Sequence, residues 1–520
     1  MLVTGERSGV RLGIWVNLVL KQIRGPMRPL DFGEVGLKVD IPRALNTQMN
    51  IGARIIFVPY THISQPYLTG SARASKAAST GADADGEATP APSRAAAAAA
   101  EPPAEKDLVL GGTMYLELVA LPPAPKRVRP QWVLRPVTEL SESLELLPYP
   151  LSGEHTAVVA PPPLRCTISV PEGVIVPADS PRVAWWDEKA KCWSDEPVSE
   201  VEYMPETRQV RFLTIKVGVL ALVQARGLDL PYTDWRLEPA LPTGTSASED
   251  EQPCVRLTLQ TTRMQVVIQV RHLADKEVKA REAAGAGAAS ATTLCKLLEP
   301  RVPELEGLLH EEMPPGPLMA ALARAGLNLM PRDTDVKVGG AIKTPALEEA
   351  LAEELASVCA SFDFAASRFT PTLAPEHCAV QLRETSVYVG LNDETLDYSM
   401  AVIEHDAKSK SALEAPNVGT IDAPGIKCTL IAAKEAAYDA GEFEKAPGPG
   451  GVRAPKLNKA PMKEMTSHIY LVNCVKPLAS EEAMARVKAA PLEFCSTVKQ
   501  LLRLTRPFSF GGYVDPTKSE

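Results

Sequence analysis

The tryptophan-rich stretch WWDEKAKCWSDEP begins at Trp185 and holds three of the chain's six tryptophans. Two acids stand inside it, Asp187 and Glu188, and a pair of carboxylates is the chemistry that cleaves glycosidic bonds. On a strand, neighbouring side chains point to opposite faces, so these two acids could not act together on one bond. Indole rings also fill protein cores without any ligand. We therefore predict that at least one of Trp185, Trp186 and Trp193 is buried.

A tryptophan platform that stacks on sugar rings is the alternative, and it would make the chain a carbohydrate-binding or glycan-processing β-sandwich protein. Other chemical motifs are weaker. The stretch GGAIKT at 339–344 lacks the spacing of a phosphate loop, no GxSxG occurs, and the seven histidines show no metal-ligand spacing. We expect a protein that is not an enzyme, with no catalytic residue, no metal and no cofactor.

Two clusters of cations are candidate contact surfaces for an acidic partner. The first lies in PKRVRPQWVLR, which we expect to be a proline-flanked loop. The second lies along the last predicted helix. Exposed charges of this kind act mainly on association rate, over a Debye length of ~8 Å at cellular salt. A solvated loop without a partner is the simpler alternative. The candidate partner-binding residues are Lys126, Arg127, Arg129 and Arg135 in the first cluster, and Lys499, Arg503 and Arg506 in the second.

Bulk composition narrows the class of protein. A chain of 520 residues is too long for one core, so two or three domains are expected. The net charge of −9 argues against nucleic acid as the main partner. Nine cysteines without a CxxC pair indicate free thiols in a reducing compartment. The sequence has neither an apolar run of about 18 residues nor a convincing signal peptide, so we predict a soluble intracellular protein without a membrane partner.

Strand patterns dominate the first half of the chain. The stretches VGLKVDIP, IGARIIFVPY and TMYLELVAL place apolar residues at every second position, which is typical of half-buried strands. The same pattern continues in LRCTISV, RVAWW, EVEYMPETRQVRFLTI and GVLALVQ. Between them, residues 71–107 are mostly Ala, Ser, Gly and Pro, and they cannot bury enough apolar area to offset the entropy of ordering. We predict a disordered insertion there.

Helices are expected in the second half. PGPLMAALARAGLNLMP begins with proline and ends at Gly326, and Thr344 is positioned to cap TPALEEALAEELASVCASF. The buried stripe predicted for this second helix is Leu347, Leu351, Leu355 and Val358. HIYLVNCV is predicted to be a strand. A last helix is predicted from Ser480 to about Thr505, with Pro491 bending it.

Together these patterns predict a β-rich α+β protein. An N-terminal antiparallel β-sandwich is expected over residues 1–240, and it contains the insertion at 71–107. A linker at 241–252 has the composition of a domain boundary. A mixed α+β C-terminal domain is expected over 253–520, with its terminal helix at about 480–505.

Several stretches, taken in order, resemble one family. They are LGIWVNLVLKQIRGPMRPLDFGEVGLKVDIPRAL, ARIIFVPYTHIS, LGGTMYLELVALPPAPK, WWDEKAKCWSDEPVSEVEY and GVLALVQARGLDLPYTDWRLEP, then LMAALARAGLNLMPRDTD, PALEEALAEELASVCASFDFAASRF and YLVNCVKPLASEEAMARV near the end. Each stretch is modest by itself, and their order over most of the chain makes the match specific. The sequence is similar to the axonemal dynein intermediate chain 7 family, also called the cancer susceptibility candidate 1 proteins.

The resemblance implies a non-catalytic structural or adaptor subunit of a two-headed inner-arm dynein complex in motile cilia or flagella. The implied partners are axonemal dynein heavy and intermediate chains and the tubulin of doublet microtubules, with neither nucleic acid nor membrane among them. The implied location is the axoneme, after assembly in the cytoplasm. Family members carry a long charged helical segment before IWVNL, and about a dozen residues precede it here, so the resemblance predicts a shortened N-terminus.

Overall fold

A computed structural model places the chain in two compact units. Unit 1 comprises Met1–Ala225 with Arg324–Gly326, and unit 2 comprises Arg226–Ala323 with Leu327–Glu520. The residues that the structure describes are 2–7, 9–17, 29–40, 51–59, 106–121, 126–129, 132–134, 145–150, 162–177, 181–240, 252–283, 292–335, 342–385, 399–406, 425–431, 443–445, 453–455, 471–476 and 479–512.

Unit 1 is built from antiparallel strands. In chain order they are β1 (Leu2–Arg7), β2 (Val10–Asn17), β3 (Leu30–Phe32), β4 (Leu37–Asp40), β5 (Ile51–Val58), β6 (Asp107–Ala120), β7 (Lys126–Arg129), β8 (Trp132–Leu134), β9 (Leu146–Leu147), β10 (Leu164–Ser169), β11 (Arg182–Asp187), β12 (Cys192–Ser194), β13 (Val198–Met204), β14 (Gln209–Thr214) and β15 (Gly218–Ala225). The larger sheet has the order β1-β2-β5-β6-β15-β11-β12, with β9 beside β6. The smaller sheet has the order β13-β14-β10-β4-β3, and β7 and β8 form a hairpin of their own.

The alternation in the sequence sets which strand face is buried. Leu37 and Val39 of β4 are buried while the residues between and after them are half-exposed, and β10 repeats this pattern with Cys166 and Ile168. The larger sheet approaches the smaller one closely at Gly13, where a Cβ atom would lie 2.5 Å from the ring of Phe32. Only glycine leaves room for the Phe32 ring to pack against the β2 backbone there. The predicted β-rich fold is confirmed.

The long strand β6 begins at Asp107, the last residue of the predicted insertion, and residues 71–105 of that insertion lie outside the described residues. Gly111 and Gly112 interrupt β6 with φ values of +71° and +132°. The pairing of β6 with β15 shifts register at the same place, between Ala221 and Leu222. This bulge lets one strand pair with β15 from Asp107 to Leu116 and with β5 from Thr113 to Ala120.

Unit 2 contains one large antiparallel sheet and all the α-helices found among the described residues. Its strands are β16 (Asp234–Pro239), β17 (Cys254–Gln260), β18 (Gln265–His272), β19 (Thr293–Glu299), β20 (Glu312–Met313), β21 (Phe362–Ala366), β22 (His377–Glu384), β23 (Ser399–Asp406), β24 (Gly425–Ile431), β25 (Phe443–Lys445) and β26 (Arg453–Pro455). Its helices are α1 (Asp275–Ala283), α2 (Glu306–Leu309), α3 (Pro315–Arg324, whose last residue is assigned to unit 1), α4 (Pro345–Val358), α5 (Leu471–Val475), α6 (Glu481–Ala489), α7 (Leu492–Thr505) and α8 (Pro507–Phe510). The sheet order is β20-β19-β18-β17-β16-β21-β22-β23-β24.

The predicted helix signals of α3 and α4 are confirmed. Thr344 caps α4 by accepting a hydrogen bond from the backbone N–H of Leu347, with Pro345 at the first helical position. Gly326 follows α3 with φ of +91°, a conformation that favours glycine after a helix. All four predicted members of the α4 stripe are buried, namely Leu347, Leu351, Leu355 and Val358.

Two predictions near the C-terminus were wrong. The apolar stretch LVNCV forms helix α5 rather than a strand, because Leu471 and Val475 stand four residues apart and are buried together on one helical face. The single bent helix over Ser480–Thr505 is two helices. Pro491 ends one and begins the next, since a proline forces the preceding residue, here Ala490 with ψ of 125°, out of the helical region.

The units divide at Ala225 and Arg226, earlier than the predicted linker at 241–252. The reason is β16, which pairs with β17 along its whole length and with β21, so it is a central strand of the unit 2 sheet. Residues 241–251 of the predicted linker lie outside the described residues. The predicted loop around Lys126 also differs, because it folds back as the hairpin β7–β8.

Candidate interaction surface

The two acids of the tryptophan-rich stretch stabilise the turn between β11 and β12. Asp187 Oδ1 accepts backbone N–H bonds from Lys189 at 2.8 Å and Ala190 at 3.2 Å, and these bonds lower its pKa. Glu188 is paired with the ammonium of Lys191 and accepts the Trp186 indole N–H at 2.8 Å, which together lower its pKa. A general acid needs a raised pKa and its partner base a lower one, whereas here both carboxyls are shifted down.

The predicted core tryptophan is Trp193. It is 7% exposed and packs in a cluster with Val109, Ala184, Ala221 and Val223. Trp186 is half-buried and meets Trp193 edge-on, with ring centroids 5.2 Å apart. Edge-to-face contacts of this kind add to the stabilisation from burial alone. The prediction that one of the three tryptophans belongs to the core is confirmed.

Trp185 is fixed from the other side of the strand. Its indole N–H donates to the Val217 carbonyl at 3.1 Å, and the ammonium of Lys216 lies 4.0 Å from its ring centroid. Gly218 has φ of +133°, and a Cβ atom there would lie 2.9 Å from the Trp185 indole nitrogen. The three rings of this hairpin are therefore positioned by protein groups, and the sugar-platform alternative gains no support from them.

The first cation cluster lies on the hairpin β7–β8, which we call the basic hairpin and define by Lys126, Arg127 and Arg129. In its register Lys126 stands opposite Leu134 and Arg129 opposite Trp132, with an irregularity between Arg127 and Arg129. The hairpin forms a two-stranded sheet without a third strand among the described residues. Arg135 lies outside the described residues.

The second cluster, Lys499, Arg503 and Arg506, lies against helix α4 and is engaged by its acids. The Lys499 ammonium is 2.8 Å from a carboxylate oxygen of Glu349 and 2.9 Å from one of Glu353. The hydrogen bond to Glu349 is the main cause of a raised Lys499 pKa. Arg503 contacts the second oxygen of Glu349 at 2.7 Å. All three ion pairs join residues on α4 and α7, which lie in the same unit.

Arg506 is more deeply embedded than its two neighbours. Its side chain is 17% exposed, its Nε lies 2.9 Å from Glu348, and a terminal nitrogen lies 2.6 Å from Asp333. The backbone of Arg506 is left-handed, with φ of 48°, where it ends α7 and precedes α8. Glu348 also accepts the hydroxyl of Ser509. Arg506 thus acts as a structural anchor of unit 2, a role that sequence spacing did not indicate.

The GGAIKT stretch provides a buried lysine rather than a phosphate site. Lys343 is 2% exposed, and its ammonium donates to the carbonyls of Thr370, Leu373 and Ala374 at 2.8, 3.0 and 3.2 Å. Burial lowers its pKa. Three donors with three acceptors leave this ammonium saturated. Residues 339–341 lie outside the described residues.

The described residues contain no group of three metal-ligating side chains and no helix that is long and apolar enough to cross a membrane.

Comparison with known proteins gives one consistent result. No family model matches the chain. Dynein axonemal intermediate chain 7 of Homo sapiens is 25% identical over 407 residues, which are 77% of this chain and 47% of the human protein. The protein of the same name from Danio rerio is 26% identical over 289 residues, 53% of this chain and 35% of the fish protein. This chain is similar to dynein axonemal intermediate chain 7.

The resemblance predicted from the sequence is therefore confirmed. A third relative, the dynein axonemal intermediate chain 7 homolog of Ciona intestinalis, is 24% identical over 58% of this chain and 41% of its own length. The chain spans less than half the length of these curated relatives.

Proposed function

We propose that this chain is a non-catalytic structural subunit of an axonemal dynein complex in motile cilia or flagella. The observation that carries the proposal is the match over 407 residues, 77% of the chain, to proteins named dynein axonemal intermediate chain 7. A match of this length is longer than either unit, so it includes residues of both. In this role the chain assembles in the cytoplasm and works in the axoneme.

The finer proposal concerns partners. Inner-arm heavy chains, other intermediate chains and the tubulin of doublet microtubules are the candidates. A chain with a net charge of −9 repels an acidic partner at long range, so a direct contact with such a partner must be local and basic. The basic hairpin is the favoured contact because it places three cations within four residues on a short sheet of its own.

Helix α7 is the less favoured contact. Its cations Lys499 and Arg503 are paired with acids of α4, and a partner would have to compete with those acids. Arg506 is paired and largely buried. The partner-binding role of these three residues and of Arg135 stays a prediction.

The test is rebinding to axonemes from which salt has removed the dynein arms. Full-length chain is added back with the other extracted proteins, and its co-sedimentation with doublets is measured. The variant carries Lys126→Glu, Arg127→Glu and Arg129→Glu. A matched control carries Lys189→Glu, Lys276→Glu and Lys488→Glu, which reverse three exposed lysines elsewhere and change the net charge equally.

We expect the hairpin variant to lose most of its binding at low salt and the control to retain it. The difference should narrow as salt rises, because exposed charges are screened. If the wild-type chain sediments with neither doublets nor extracted dynein, the subunit assignment is wrong. If wild type binds and both variants bind equally well, the assignment stands and the hairpin is not the contact.

A further inference from the structure

The two sheets of unit 1 differ in their outer faces. On the smaller sheet, Lys38 of β4 and Arg211 of β14 each lie between two buried neighbours in sequence, so both point outward. Lys38 is paired with Asp31 at 3.0 Å, and Arg211 with Glu202 at 3.5 Å. Charged and polar side chains are usual on the solvated face of an antiparallel sheet.

The outer face of the larger sheet carries a row of apolar side chains instead. Gly13 of β2 faces the smaller sheet, so its neighbour Leu12 points to the opposite side. In the sheet register Leu12 stands opposite Ile56, and Ile56 stands opposite Tyr115. Tyr115 in turn stands opposite Val219. Cross-strand partners lie on the same face of a sheet, so these four side chains form one row across four strands.

Trp186 extends this row onto β11. Trp186 and Val219 pack against the same buried cluster, which includes Trp193, and Trp193 ends the row at β12. Leu12 is 38% exposed and the other members are half-buried, so the row presents apolar surface to a partner. We call this row the apolar band and define it by Leu12, Ile56, Tyr115, Val219 and Trp186.

The charges beside the apolar band are neutralised within unit 1. In the neighbouring row of the same face, Arg54 lies 2.6 Å from Glu117. At the Trp186 end, Glu188 is paired with Lys191. A charged group of a partner would lose its hydration on the band without gaining a counter-charge. Charge complementarity therefore favours a partner surface that is itself uncharged and apolar.

The shape of the apolar band fits a single α-helix. The band crosses β2, β5, β6, β15 and β11, which are consecutive strands of the sheet. At a strand spacing of roughly 4.8 Å it is about 19 Å long. An amphipathic helix repeats its apolar stripe once per turn of about 5.4 Å, so about 13 residues cover this length. The footprint of roughly 20 by 10 Å is well below the ~800 Å² that each copy buries in a stable dimer.

We propose that the apolar band docks an amphipathic α-helix of another protein, which lies across the strands with its apolar stripe on the band. The two aromatic members suit this role, because tyrosine and tryptophan are enriched among the residues that contribute most to binding. This inference goes beyond the proposed function, because it concerns another surface than the basic hairpin and a partner segment of different chemistry.

The test is fluorescence anisotropy with the full chain and a fluorescein-labelled peptide of about 18 residues, long enough to span the band as a helix. The peptide consists of leucine, alanine, glutamate and lysine, with leucine at every third or fourth position. A second probe has the same composition with leucine at every second position, which destroys the helical stripe. We expect saturable binding of the first probe and at least ~10-fold weaker binding of the second.

Protein variants locate the site. Leu12→Glu should weaken the first probe about tenfold, because it places a charge on the band, whereas Leu12→Met should retain binding. The matched control is Val201→Glu on β13 of the smaller sheet, since Val201 is also 38% exposed, and it should have no effect. Thermal unfolding of each variant confirms that it is folded.

Three results would overturn the proposal. They are the absence of saturable binding, equal binding of the two probes, and equal effects of Leu12→Glu and Val201→Glu. Sedimentation velocity supplies a further test. A wild-type dimer that Leu12→Glu dissociates would also overturn the proposal and identify a second copy of the chain as the occupant of the band.

Discussion

The basic hairpin and helix α7 with its C-cap residue Arg506 each bring three cations together within a short stretch of chain. The two clusters differ in the groups that surround them. The cations of α7 face α4, whose acids Glu348, Glu349 and Glu353 point toward them and neutralise them. The hairpin forms its own two-stranded sheet and has no neighbouring strand among the described residues. Similar sequence patterns thus serve internal cohesion in one place and, as proposed, external contact in the other.

The difference shows that the number of cations in a stretch does not reveal how much charge it offers to a partner. An exposed ion pair contributes little to stability, and it also lowers the charge that a partner can sense. Breaking a buried ion pair costs more, because removing one member leaves the other buried without compensation. Stability measurements can therefore separate the two kinds of cluster.

The largest effect is expected at Arg506. Arg506→Ala should lower the free energy of unfolding by about 2–4 kcal/mol, because it leaves the mostly buried Glu348 without its cation. The measurement is urea and thermal unfolding of the full chain. Arg506→Gly should cost about 1 kcal/mol less than Arg506→Ala, since φ of 48° is unstrained for glycine. A loss below ~0.5 kcal/mol for Arg506→Ala would place Arg506 with the surface cations and break the comparison.

The next effect concerns an acid of α4 that forms no ion pair with a described residue. Glu354 is 9% exposed, accepts the backbone N–H of Leu471, and has a pKa raised by burial to about 7. A carboxyl whose folded pKa exceeds its unfolded value of 4.5 contributes stability below pH 4.5, and this contribution is lost as pH rises through about 7. Glu354→Gln keeps an acceptor and removes the charge.

We therefore expect Glu354→Gln to stabilise the protein at pH 8 by on the order of 1–3 kcal/mol and to match wild type near pH 4.5. The readout is the difference in urea midpoint between variant and wild type across this range. A variant that is less stable than wild type at pH 8 would mean that the ionised Glu354 carboxylate stabilises the fold. Glu354 would then resemble the ion-paired acids of α4 rather than differ from them.

The smallest effect is expected for the exposed pairs. Lys499→Ala and Arg503→Ala should each cost between 0 and about 1 kcal/mol, because their pairs with Glu349 are accessible to solvent. High salt should reduce even this cost. The reference for these values is the triple charge reversal of the basic hairpin, which should change the free energy of unfolding by no more than ~0.5 kcal/mol. A cost of several kcal/mol for Lys499→Ala would show that α7 depends on every one of its cations.

Local signals predicted much of the fold. The alternation in VGLKVDIP and IGARIIFVPY predicted β4 and β5, and the pair Thr344 and Pro345 predicted where α4 begins. These predictions succeed because period-two burial and helix capping involve residues a few positions apart. The failures at LVNCV and Pro491 are also local. LVNCV is an apolar run that fits either a strand or a helix, and Pro491 interrupts a helix that it was expected only to bend.

The sequence by itself determined the strand-rich class and the resemblance to dynein axonemal intermediate chain 7. Only the tertiary structure decided that Trp193 is buried and that Arg506 belongs to the interior of unit 2. Arg506 meets Glu348 across 158 positions and Asp333 across 173. Pairings of that range leave no periodic or neighbouring signal in the sequence, because they depend on how helices that are distant in sequence pack together. The same packing decides how much positive charge remains available to a partner.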